Sequence, residues 1–63
     1  LAYYYLGLIY QQRQNWNLAL NNALEAIKKN PRFKAAYELV ASIYEAQGDT
    51  QTAARYREAA SRL

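Results

Sequence analysis

Sixty-three residues allow one small domain at most, and a chain this short buries only about 60% of the surface it exposes when unfolded. It has neither cysteine nor histidine, so there is no disulfide, no structural zinc site is expected, and the common nucleophile and base sets of enzymes are missing. The formal charge of +3 is far from the clustered basicity of a dedicated nucleic-acid binder, and no apolar run approaches the roughly 20 residues of a membrane span.

Tyr3, Leu6, Gly7 and Tyr10 fall at i, i+3, i+4 and i+7, which predicts a first helix over residues 2–13 with these side chains on its buried face. A glycine inside a helix costs about 1 kcal/mol against alanine, so Gly7 points to a close approach of the facing helix. Gln14-Asn15 breaks the pattern, and Asn15 can cap a second helix over residues 16–29 by accepting from an otherwise unpaired backbone N–H. Trp16, Ala19, Leu20, Ala23, Ala26 and Ile27 form its buried side, with Trp16, Leu20 and Ile27 expected to supply most of the apolar area. Lys28 and Lys29 complement the carbonyl end of the helix dipole, and Asn30-Pro31 stops the helix because a residue before proline is biased away from helical backbone angles.

Phe33, Tyr37, Val40, Ala41 and Tyr44 continue the helical spacing over residues 33–47. Gly48 suits the turn after that helix, where a left-handed conformation is free of penalty only for glycine. Asp49 is placed to cap a last helix over residues 50–62, marked by Ala53, Tyr56, Ala60 and Leu63. Sliding the sequence against itself lays Ala2 on Ala36, Tyr3 on Tyr37, Ile9 on Ile43, Tyr10 on Tyr44, Ala19 on Ala53 and Ala26 on Ala60, always at the same offset. A fixed period of that length predicts an all-α stacked array, here one hairpin in residues 1–31 and a second in residues 32–63.

These residues resemble the tetratricopeptide repeat. The first unit carries the motif as Tyr3, Leu6, Gly7, Tyr10, Trp16, Ala19, Ala26 and Pro31, and the second as Tyr37, Val40, Ala41, Tyr44, Gly48, Ala53 and Ala60. Ala23 and Arg57 depart from it where the family has a large aromatic, Gln14 where it has a turn glycine and Thr50 where it has a turn aromatic. The resemblance implies a right-handed superhelix whose first helices line a concave groove for a peptide or helix of another protein. Carried over position by position, that groove falls on Leu1, Tyr4, Leu8, Gln11 and Gln12, on Arg32 in the connecting loop, and on Ala35, Glu38, Ser42 and Glu45.

The groove so placed is apolar at Tyr4 and Leu8 and acidic at Glu38 and Glu45, which favours a protein segment with apolar anchors and some positive charge. The basic set with which some relatives clamp a C-terminal carboxylate is absent. Glu38 and Glu45 stand about 10.5 Å apart along the helix axis, too far to share a proton, so the reading is not an enzyme and needs no cofactor or metal. Two alternatives stand beside the scaffold. Exposed apolar ends at Leu1, Tyr5 and Leu63 suit self-association within a larger array, and Lys28, Lys29, Arg32 and Lys34 could touch RNA phosphates, the less favoured of the two. With Leu1 at its start and no polar helix closing it, the sequence is expected to be an excerpt of such an array. The compartment stays open, with an intracellular setting preferred.

Overall fold

A computed structural model describes all residues, 1–63. It has four helices and no strand: α1 (Ala2–Gln12), α2 (Trp16–Lys29), α3 (Lys34–Ala46) and α4 (Thr50–Ser61). Asn15 caps α2 by accepting from the Leu18 N–H at 3.5 Å, and Asp49 caps α4 by accepting from the Thr52 N–H at 3.2 Å and its hydroxyl at 2.8 Å. Asn30 adopts an extended conformation before Pro31 and ends α2. Gly48 takes the left-handed conformation at φ 86°, and Gln14 takes it at φ 60° in the corresponding turn.

The connecting segments are short, so successive helices fold back on one another: α1 lies against α2, α3 against α4, and α2 and α1 against α3. The core is built from small and branched side chains, Ala19, Ala23, Leu39, Val40 and Ile43, with Ile43 and Val40 the largest that are fully buried. At Gly7 the neighbouring helices approach closely. A Cβ there would meet Leu39 Cδ2 at 3.0 Å, Ala19 O at 3.3 Å and the Ala23 N at 3.4 Å, so the α2 backbone and α3 both press on it.

Two placements differ from the helical-wheel reading. Tyr3 and Leu6 are exposed rather than buried, each at 40%, because no helix lies over that side of α1. Their counterparts are better covered: Tyr37 is half-buried, donates its hydroxyl to the Pro31 carbonyl at 2.9 Å and packs by Tyr56, while Val40 is fully buried. Trp16, Leu20 and Ile27 flank the core half-buried, and the fully enclosed positions of α2 belong to its alanines. A helix pair that approaches closely enough to enclose Ala19 and Ala23 leaves no room for larger side chains between its axes.

Candidate functional site

The candidate groove residues of α3 form one strip, since Ala35, Glu38, Ser42 and Glu45 recur at i, i+3, i+7 and i+10 on a helix. Ala35 and Ser42 are half-buried, Glu38 and Glu45 exposed. Glu38 and Ser42 line an open depression together with Lys34, Arg57, Ala60 and Ser61, so the strip is bounded by the second half of α4.

On α1, Tyr4 and Leu8 are half-buried and pack against the core cluster. The Tyr4 ring lies 5.0 Å from Phe33 in a tilted pair and 5.7 Å from Tyr5 edge-on, which fixes its orientation through aromatic contact. Gln11 is half-buried, Gln12 exposed. Leu1 is set apart from the Glu38–Ser42 depression and lines another one with Ala2, Tyr3, Ala26, Lys29, Asn30 and Phe33. Arg32 is exposed in the loop, its backbone N–H donating to Asn30 Oδ1 at 3.2 Å.

The electrostatics differ from a simple acidic groove. Arg57 reaches across from α4 and grips Glu45 with both guanidinium nitrogens, at 2.6 and 2.9 Å. These hydrogen bonds, and then the charge of Arg57, hold the Glu45 carboxyl below its ordinary value of 4.5. Reciprocally, Arg57 is held above its ordinary value, first by the hydrogen bonds it donates to Glu45, with the charges of Glu45 and Glu38 assisting. Glu38 makes no ion pair, so it is the free carboxylate of the strip. Arg62 pairs with Glu58 on its own helix at 2.6 Å.

The four loop cations are exposed and make no ion pair, and Lys28, Lys29 and Lys34 line three different depressions. No group of three or more histidine, cysteine, aspartate or glutamate side chains comes together. No helix is long and apolar enough to cross a membrane. Sequence reasoning missed Phe33 as the partner of Tyr4 and Arg57 as the partner of Glu45.

No family model matches the chain, and no curated protein does either.

Proposed function

We propose that the chain is a pair of tetratricopeptide repeats working as a non-enzymatic scaffold, which holds a segment of a partner protein along the exposed strip of α3. The doubled motif supports this reading, as does the packing of its small residues: Gly7, Ala19, Ala53 and Ala60 are all buried. The observation that carries it is the accessible strip of Ala35, Glu38 and Ser42 on α3, which presents one free carboxylate beside small side chains, while Tyr4 and Leu8 of α1 are half-buried against the core. Because Arg57 neutralises Glu45, the fitting segment has apolar anchors and a single well-placed cation rather than a run of basic residues.

Selection from a displayed random-peptide library against the 63-residue chain tests this. Enriched peptides should combine apolar residues with lysine or arginine, and Glu38→Lys should weaken them by about tenfold, the effect of losing roughly 1.4 kcal/mol. Glu38 is exposed, so its replacement leaves the helices in place, as circular dichroism would verify. Peptides that bind a Glu38→Lys, Ser42→Arg variant as well as the parent chain would move the working surface elsewhere.

A further inference from the structure

Apart from the Glu38–Ser42 strip, three tyrosines form a ladder across the second hairpin. Tyr37 and Tyr44 stand two turns apart on one face of α3, and Tyr56 of α4 reaches both. The Tyr56 ring centroid lies 6.3 Å from that of Tyr37, at an interplanar angle of 39°, and 5.8 Å from that of Tyr44, at 17°. The second contact is nearly parallel, a stack within the contact range of aromatic rings. All three rings are half-buried, and Tyr44 and Tyr56 rest against the core cluster. An open depression lined by Tyr37, Thr52, Arg55, Tyr56 and Ala59 leaves the ladder reachable from water, and it shares no residue with the Glu38–Ser42 depression.

Composition directs oxidation to these rings. The chain has no cysteine, methionine or histidine, so beside its seven tyrosines Trp16 is the one other readily oxidised side chain. Tyrosyl radicals couple only where two rings can meet, and the ring pairs differ in this. Tyr4 and Tyr5 are successive residues of one helix, edge-on at 61°, with Tyr4 held against Phe33. Tyr37 is tilted toward Tyr56 and tethered by the hydrogen bond that its hydroxyl donates to the Pro31 carbonyl. Tyr44 and Tyr56 lack such a tether, come from facing helices and are nearly parallel.

We propose that Tyr44 and Tyr56 are an oxidative coupling site, at which hydrogen peroxide activated by a haem peroxidase joins the two rings by a carbon–carbon bond ortho to their hydroxyls. Each phenol gives up one electron and one proton, and the two phenoxyl radicals form the bond between ring carbons. The hydrogen on each bonded carbon then passes to the oxygen beside it, which restores both aromatic rings and both hydroxyls. Two electrons and two protons leave the chain and reduce one peroxide to two waters. Burial pushes the Tyr56 phenol up, with Tyr44 and then Tyr37 acting in the same direction, so at neutral pH its proton leaves with the electron. The bond ties α3 to α4 beside the Glu45–Arg57 pair, and unlike that pair it is indifferent to salt and pH.

The test treats the dilute chain with a haem peroxidase and hydrogen peroxide, isolates the monomer, and reads its mass and its tryptic peptides. The monomer should lose two hydrogens, and the peptide of residues 35–55 should appear joined to that of residues 56–57. Fragmentation of the joined peptide should place the bond at Tyr44 rather than Tyr37. Closing a loop of this length in the unfolded chain should raise the melting temperature by on the order of 10 °C. Tyr44→Phe and Tyr56→Phe should each abolish the joined peptide, and Tyr37→Phe should keep it. Neither the Tyr44 nor the Tyr56 hydroxyl bonds within the chain, so these variants keep the fold, as circular dichroism would verify. A monomer of unchanged mass, a bond at Tyr37, or coupling confined to dimers through exposed Tyr3 or Tyr5 would overturn the proposal. So would a coupled monomer that melts lower than the untreated chain, since its bond would have formed outside the native stack.

Discussion

The two hairpins are written on one pattern and differ at the points where packing is tightest. In the first, Gly7 lets α2 approach and Ala23 is fully enclosed; in the second, Ala41 stands in place of Gly7 and Arg57 in place of Ala23. Arg57 stays at the surface and turns toward Glu45, so the second hairpin closes its outer side with an ion pair where the first closes it with α3. In the structure α3 covers that side of the first hairpin and buries apolar surface there, whereas the corresponding side of the second is open to water, where charged groups are tolerated.

The largest expected effect separates Ile9 from Ile43, the same residue at the same place in the two hairpins. Ile43→Ala removes a fully buried side chain and should destabilise by about 2–5 kcal/mol. A core of this size is expected to supply only about 3–5 kcal/mol, so the variant should lose most of its helical circular dichroism at 25 °C. Ile9→Ala, at a position 44% exposed, should cost under about 1 kcal/mol in the same urea titration. Equal losses at the two sites would mean that α1 is covered in solution.

The close approach comes next. Gly7→Ala gains about 1 kcal/mol of helix propensity but drives a methyl against Leu39 and the α2 backbone, where overpacking costs about 1–3 kcal/mol, so the net should be a loss of about 1 kcal/mol. Ala41→Gly, at a position that already accepts a Cβ, should lose about 1–2 kcal/mol through propensity and a vacated methyl site. A stabilised Gly7→Ala would show that the α1–α2 spacing is set by something other than this glycine.

The turns give a smaller effect of opposite sign in the two hairpins. Gln14 holds φ 60° and Gly48 φ 86°, a region that is costly for every residue except glycine. Gln14→Gly should therefore stabilise the chain by about 0.5–1 kcal/mol and Gly48→Ala should destabilise it by about 1 kcal/mol, both read from denaturation midpoints at unchanged slope.

Helix number, order and ends were legible because they depend on local signals: caps at Asn15 and Asp49, the stop at Asn30-Pro31, and the glycine after α3. Each predicted boundary lies within one residue of the observed one. What periodicity could not supply is which apolar stripe has a neighbour. Tyr3 and Leu6 repeat the spacing of Tyr37 and Val40, and their exposure is decided by the absence of a hairpin on that side, a fact no local window contains. The candidate groove was legible as positions on a helix face but not as electrostatics, since the pairing of Glu45 depends on an arginine on the next helix.

That pairing yields the smallest and most selective prediction. Arg57 keeps its charge throughout the accessible pH range, so only Glu45 titrates, and its folded value lies below the 4.5 of an unconstrained carboxyl. A depressed carboxyl contributes stability that is present above 4.5 and is lost as pH falls from there through the lower folded value. Urea midpoints measured from neutral pH downward should therefore decline in that window, and Glu45→Gln should make the decline shallower while leaving the helical content at neutral pH intact. Both partners are about half-exposed, so raising the salt concentration should shrink the difference between the parent and the variant as well. If Glu45→Gln left the acid limb unchanged, the pair with Arg57 would not be formed in solution, and the strip on α3 would present two free carboxylates instead of one.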